Sequence, residues 1–153
     1  MYTKEEAAAI RQEFWTRFGR YLAPILSASG EKVNWVNYKS GIQQLYFRMN
    51  ADKNQAYIGI EINHKNPGQA ARIYEQWTLL KKELEESLGE EWHWESLHSN
   101  ETGQPLSRIY TILQPVNIFK ESDWPAIISF LKSRLIKLDA FWVNHKFIFE
   151  MMG

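Results

Sequence analysis

The fold is decided by residues 42–63, which read IQQLYFRMNADKNQAYIGIEIN. Apolar and polar side chains alternate along Ile42–Met49 and again along Ala56–Asn63, and this period of two is typical of half-buried β-strands. The intervening residues, 50–54, are rich in Asn and Asp, which favour turns. The stretch therefore predicts an antiparallel hairpin with one apolar and one polar face.

The alternation also predicts which side chains meet across the hairpin. The two apolar sets are Leu45, Phe47, Met49 and Ile58, Ile60, Ile62. They lie on the same side of the hairpin only if the sequence numbers of two directly paired residues add up to an odd number. We therefore expect Phe47 to lie roughly opposite Ile58.

Three amphipathic helices surround this hairpin in the sequence. The first begins with a capping box, Thr3 with Glu6, followed by apolar residues at helical spacing. The second begins at Asn66-Pro67 and ends at Gly89, which suits a left-handed C-cap. The third begins near Asp123 and is followed by an apolar tail from Phe147 to Met152.

Further strands are predicted on both sides of the hairpin, at Val33–Tyr38, Glu91–Glu95 and Ser107–Val116. The resulting order is α-βββ-α-ββ-α. Each helix has a single apolar stripe, so the helices are expected to cover one face of the sheet. Residues 1–153 are thus predicted to form a single two-layer α+β domain, in which three helices pack on one face of a mainly antiparallel five-stranded sheet.

The opposite sheet face is predicted to be open and to carry polar and aromatic side chains. Tyr and Arg dominate binding interfaces because each combines a large contact area with a polar tip. A solvated antiparallel sheet can show the same alternation without binding anything. The candidate binding residues are Tyr46, Arg48, Tyr57, Glu61, Asn63, Arg108 and Tyr110, and the face is extended by His93 and Glu95 and, if the first turn is short, by Asn34, Val36 and Tyr38.

Composition excludes several classes of protein. The chain contains no cysteine, which rules out disulfides, thiolate metal sites and a cysteine nucleophile. No apolar run reaches the roughly 18 residues of a membrane span, and the N-terminus lacks a signal-peptide core. Lys plus Arg and Asp plus Glu are 18 each, which argues against a strongly cationic nucleic-acid binder. A cytoplasmic location is expected.

Charge is nevertheless distributed unevenly. Seven Glu and no Lys or Arg occur between Glu83 and Glu101, so the rest of the chain has an excess of positive charge. The predicted third helix is modestly basic, with Lys132, Arg134 and Lys137. A solvated acidic helix end explains the Glu-rich segment, and a basic surface that meets phosphate is the functional alternative.

Catalytic patterns are largely missing. The sequence contains no nucleophile elbow, P-loop or dinucleotide fingerprint. His93, Glu95 and His98 resemble a metal set, but His98 has the opposite strand parity. Asp52 and Glu61 occur in the order expected for a magnesium-dependent restriction-type nuclease, although Asn63 occupies the position where such an enzyme needs lysine.

The strand block resembles a bacterial family, domain of unknown function 4268. The resemblance rests on VNWVNYKSGIQQLYFRMNADKNQAYIGIEINHKNP (33–67) and LGEEWHWES (88–96), and it extends to Phe14-Trp15 and Ser107-Arg108-Ile109. Larger relatives join this module to nuclease-like regions, which implies a link to DNA processing or defence in some members. The resemblance implies no catalytic residues for this chain.

The sequence thus favours a non-catalytic binding module that uses the open sheet face. No catalytic residue, metal ligand or cofactor is predicted, and the partner is either nucleic acid or protein. The alternative is a restriction-type nuclease that uses Asp52 and Glu61. A second alternative is a structural protein that forms a homodimer through its apolar tail.

Overall fold

A computed structural model describes residues 2–99 and 102–152, in which a single antiparallel sheet packs with four α-helices. The sheet has four strands in the order β1-β2-β4-β3. A short 3-10 helix, Glu121–Asp123, precedes the last helix. The elements are α1 (Lys4–Leu22), β1 (Leu45–Ala51), β2 (Ala56–Asn63), α2 (Pro67–Leu79), α3 (Lys81–Leu88), β3 (His93–Ser99), β4 (Pro105–Leu113) and α4 (Trp124–Glu150).

The β1–β2 hairpin has the predicted parity with a register shifted by two residues. Phe47 pairs with Ile60 rather than with Ile58. The turn sets this register: the Asp52 carboxylate accepts hydrogen bonds from the backbone N–H groups of Asn54 (2.7 Å) and Gln55 (2.9 Å). Strand pairing therefore extends to Ala51 and Ala56, beyond the predicted strand end at Met49.

The predicted first strand, Val33–Tyr38, is wrong, and the sheet has four strands rather than five. Residues 33–38 form irregular turns, and only an isolated bridge joins Lys39 to Tyr46 on β1. Trp35 is buried and donates from Nε1 to the Ile25 carbonyl at 2.9 Å. Side-chain hydrogen bonds to residues outside the sheet, Ile25 for Trp35 and Asp139 for Tyr38, thus replace strand pairing in this segment, and Tyr38 does not extend the open face.

The predicted second helix is two helices, so the chain has four rather than three in its described part. Leu80 interrupts the run with φ −101° and ψ 8°, and the stripe residues on either side, Trp77 and Leu84, are both buried. The Thr78 hydroxyl donates to the Glu75 carbonyl at 2.6 Å. This local bond competes with helical pairing just before the break.

The last two strands are displaced from their predicted bounds. β3 begins at His93 and runs to Ser99, with a register shift between Glu95 and His98. β4 ends at Leu113, and Pro115, which has no backbone N–H to donate to a strand, follows two residues later. The next residues return to the hairpin turn, where Ile118 donates to the Asp52 carbonyl at 3.0 Å.

The apolar side of the sheet forms the main core together with the helices. Ile60 and Ile109 are fully buried there, and α4 and α2 both contact β2. Trp77 of α2 has ring contacts with Phe141, Trp142 and Phe149 of α4. The predicted apolar tail is thus the end of α4, and it divides between a buried Phe149 and an exposed Phe147.

None of the helices in the described ranges is both long and apolar enough to cross a bilayer.

Candidate binding face

The seven candidate binding residues, from Tyr46 to Tyr110, all lie on one side of the sheet. Register demonstrates this, because directly paired residues of antiparallel strands point to the same side. Tyr46 pairs with Glu61, which pairs in turn with Arg108 on β4 and, through it, with Glu95 on β3. We call this side the open sheet face; its residues are Tyr46, Arg48, Asn50, Tyr57, Gly59, Glu61, Asn63, His93, Glu95, Leu106, Arg108, Tyr110 and Ile112.

Tyr57 lies on this face but is not exposed as expected. Only 8% of its surface is accessible, because its ring stacks on Tyr110 with centroids 5.5 Å apart. The ring also covers Gly59, where a Cβ would lie 2.5 Å from Tyr57 Oη and 2.9 Å from Tyr110 Cβ. Tyr57 and Tyr110 therefore leave no room for a side chain at position 59.

Arg108 organises the β3–β4 side of the face. Its Nε donates to Glu95 Oε1 at 2.8 Å, and its guanidinium lies 4.0 Å from the centre of the Tyr110 ring. The Tyr110 hydroxyl donates to the second oxygen of the same carboxylate, Oε2, at 3.1 Å. Both glutamate oxygens are thus used, and Arg108 is held between a carboxylate and an aromatic ring.

The β1–β2 side repeats this arrangement with looser pairing. The Tyr57 hydroxyl donates to Glu61 Oε2 at 2.7 Å. The Arg48 guanidinium lies 4.4 Å from the centre of the Tyr46 ring, while Arg48 Nε is 3.9 Å from Glu61 Oε1. The side chain of Arg48 is 54% exposed, against 22% for Arg108. Arg48 is therefore stacked in place without a short ion pair.

Burial and charge shift the protonation of the phenols on this face. Burial, together with the Glu61 carboxylate, raises the pKa of Tyr57 well above its usual range. Burial also raises the pKa of Tyr110. For Arg108, burial opposes the charge, but the hydrogen bond to Glu95 and the contact with Tyr57 outweigh it, so its pKa is raised. The network therefore keeps the Tyr57 and Tyr110 phenols protonated to a higher pH than a free tyrosine.

A cleft of about 590 Å³ crosses the face from the β1–β2 turn to the β3–β4 hairpin. Asn50 lines it, although the sequence analysis assigned this residue to the turn. Continuing the strand alternation by one more step would have found it, because Asn50 pairs with Tyr57. The remaining polar lining residues are Arg48, Asp52, Gln55, Tyr57, Glu61, Ser99, Thr102 and Arg108.

The structure uses the nuclease candidates in other ways. Asp52 and Glu61 line the same cleft, but one Asp52 oxygen is occupied by two backbone N–H groups of the turn. Within the described ranges, no three His, Asp or Glu side chains are grouped so that they could hold a metal ion. His93 and Glu95 share the open sheet face, whereas the side chain of His98 lies outside the described residues.

A family model described as Domain of unknown function (DUF4268) matches residues 10–146. This chain belongs to that family. The matched range contains every residue of the open sheet face. The match confirms the resemblance of the strand block to domain of unknown function 4268. Comparisons with curated proteins and with solved structures gave no match.

Proposed function

We propose that this chain is a non-catalytic module that binds an extended segment of a partner protein on the open sheet face. The supporting observation is the double network of stacked Tyr–Arg pairs, Tyr46 with Arg48 and Tyr110 with Arg108. Stacking and ion pairing fix these side chains before a partner arrives, which lowers the entropy cost of binding. Tyr and Arg are also the residue types that contribute most to protein interfaces.

Charge balance favours a protein partner over nucleic acid. The open sheet face combines two arginines with two glutamates, and Glu95 already neutralises Arg108. A phosphate backbone is bound by several free cations, whose counterions are released. This face presents Arg48 as its exposed arginine, and two carboxylates stand beside the cleft.

Two of the three basic residues predicted on the third helix are hydrogen-bonded within the chain, which argues against a phosphate surface there. Arg134 donates to both oxygens of Glu90 at 2.9 Å, so part of the acidic segment neutralises it. Lys137 donates to the Leu88 carbonyl at the end of α3, at 3.3 Å. Part of the Glu-rich segment is therefore used in pairing within the chain.

Site-specific crosslinking tests the proposed function. A photoreactive phenylalanine replaces Tyr46 in the full chain, and the matched control replaces Tyr21, which is 64% exposed on α1. Proteins captured only through position 46 are identified, purified and titrated by calorimetry. The double substitution Tyr46→Ser/Arg48→Ser should weaken that binding at least about tenfold.

Two other results would contradict this function. Affinity for single- or double-stranded DNA that falls steeply with salt would indicate phosphate contacts and hence a nucleic-acid binder. Magnesium-dependent DNA cleavage that Glu61→Gln abolishes would indicate the nuclease instead.

Self-association is a second candidate function, favoured by an exposed apolar stripe on α4. Val143, Phe147 and Met151 recur every four residues and are 38%, 56% and 80% exposed. Such spacing places all three on one side of the helix. Sedimentation of the wild type and of Phe147→Ser decides this: a concentration-dependent dimer that the substitution dissociates would support it, and a monomer at all concentrations would exclude it.

A further inference from the structure

Arg48 is the more exposed arginine of the open sheet face, with 54% of its side chain accessible against 22% for Arg108, and it makes no hydrogen bond to the described residues. Glu95, Arg108, Tyr57 and Tyr110 are all engaged within the network. In the described part of the chain, Nη1 and Nη2 of Arg48 have no hydrogen-bond partner, and its Nε lies 3.9 Å from Glu61, beyond hydrogen-bond distance. Arg48 lines the cleft, and its terminal N–H groups are therefore available to a ligand there.

The position of this guanidinium is fixed without consuming those donors. The Tyr46 ring supports it at 4.4 Å, and the Asn63 amide contacts the Tyr46 hydroxyl at 3.5 Å. Glu61 cannot move freely towards it, because its other oxygen accepts from Tyr57 at 2.7 Å. A planar fork held in this way matches the two oxygens of a carboxylate, with which arginine forms parallel hydrogen bonds.

The surroundings of Arg48 favour a carboxylate over a phosphate. Asp52 and Glu61 line the same cleft, so a dianionic phosphate bound by Arg48 would approach two negative groups. A carboxylate carries a single charge and satisfies the fork alone. Asn50 and Gln55 also line the cleft, and their amides can donate to and accept from peptide groups beside the bound carboxylate.

We propose that Arg48 binds the side-chain carboxylate of a single Asp or Glu within an extended peptide segment that lies in the 590 Å³ cleft. The inference rests on the proposed function and adds to it the chemical group of the partner that Arg48 recognises. Flanking residues of the segment are neutral or basic, because further acidic residues would approach Asp52 and Glu61.

Peptide titration followed by NMR tests this selectivity. The ¹⁵N-labelled full chain is titrated with pools of acetylated and amidated heptapeptides that have varied neutral flanks and a central Glu, Gln or phosphoserine. We expect the Glu pool to shift the Arg48 Nε–Hε signal and the backbone signals of β1 and β2. The Gln pool, which differs only in the charge, should bind at least about tenfold more weakly.

Substitutions identify the group responsible. Arg48→Gln should abolish the preference for Glu over Gln, and Arg48→Lys should recover only part of it, because an ammonium lacks the planar fork. Arg20→Gln, an exposed arginine on α1, is the matched control and should bind as the wild type does.

The outcomes separate the two levels of the proposal. Equal shifts with the Glu and Gln pools would overturn carboxylate recognition and leave the binding face intact. Preference for the phosphoserine pool would overturn it in favour of phosphate. No shift on β1 or β2 with any pool would overturn both this inference and the proposed function.

Discussion

Single residues of this protein are used in ways that their chemical type does not specify. Arg48 and Arg108 both stack on a tyrosine, yet Arg108 donates to Glu95 at 2.8 Å whereas Arg48 makes no hydrogen bond to the described residues. Phe147 and Phe149 are neighbours in an apolar tail, yet one is exposed and the other is buried against Trp77. The role of each residue therefore depends on the side chains that tertiary packing places beside it.

Trp77 tests the core at the residue scale. It is fully buried and packs against three aromatic rings of α4. Trp77→Ala should therefore lower the free energy of unfolding by about 3–5 kcal/mol in urea denaturation. Leu79→Ala on the same helix, 69% exposed, should change it by about 0.5 kcal/mol or less. Similar losses for both would contradict the observed facing of α2.

Tyr57 makes the free energy of unfolding depend on pH. Because burial raises its pKa, the folded chain keeps the phenolic proton where an unfolded tyrosine, with a pKa of about 10, has lost it. Its stabilising contribution is complete below about pH 10 and is lost as the pH rises above that value towards the raised pKa.

Tyr57→Phe should reveal this contribution in urea denaturation at several pH values. At neutral pH the substitution should cost about 1 kcal/mol, the net value of the hydrogen bond to Glu61. Above about pH 10 the difference from the wild type should narrow, because the wild type loses the contribution. Tyr21→Phe, on the exposed side of α1, is the control, and a constant difference across the pH range would contradict the assignment.

Strand alternation governs the sheet at the scale of elements. Tyr46 and Arg48 point to the open side, and Phe47 between them is 9% exposed on the core side. Tyr46→Ser combined with Arg48→Ser should therefore lower the free energy of unfolding by only about 1 kcal/mol, a surface value with lost cross-strand contacts. Phe47→Ala alone should cost about 3–5 kcal/mol. If the double substitution lowered the free energy of unfolding more than Phe47→Ala in thermal or urea unfolding, the assignment of Phe47 to the core side would be contradicted.

The irregular segment between α1 and β1 connects the elements into the whole molecule. Asp139 of α4 is 1% exposed and accepts hydrogen bonds from the Ser27 hydroxyl (2.7 Å), the Ala28 N–H (2.7 Å) and the Tyr38 hydroxyl (2.6 Å). Burial and this bond raise the pKa of Tyr38. One carboxylate thus holds a segment without strands or helices against the longest helix.

Asp139→Ala should release that segment. Three donors, one of them buried and two partly buried, would lose their acceptor, and we expect about 2–4 kcal/mol of destabilisation. Hydrogen exchange should accelerate mainly in residues 25–40, while the exchange of β2 and β4 should change only with global stability. Asn144→Ala, an exposed change on the same helix, should leave both measurements near the wild type. Uniform acceleration would show that Asp139 does not act on this segment in particular.

The sequence by itself determined the elements whose physical cause is local. Alternation placed the hairpin and the parity of its faces, and all the predicted binding residues lie on one side as a result. The capping box of α1 and the Asn66 cap of α2 form as predicted, because each needs only residues within one turn. The family resemblance followed from the same contiguous blocks.

Tertiary structure decided what depends on distant residues. Residues 33–38 carry the alternation of a strand, but Trp35 and Tyr38 gain more from the Ile25 carbonyl and from Asp139 than from pairing with β1. β4 inserts between β2 and β3, and only this order brings Arg108 beside Glu61 and Glu95. Tyr57 is buried because β4 delivers Tyr110 to its ring, and Arg48 makes no hydrogen bond to the described residues because edge strand β1 has no such neighbour. The pattern of a strand specifies the direction of its side chains, and the partners they meet depend on which strand lies next to it.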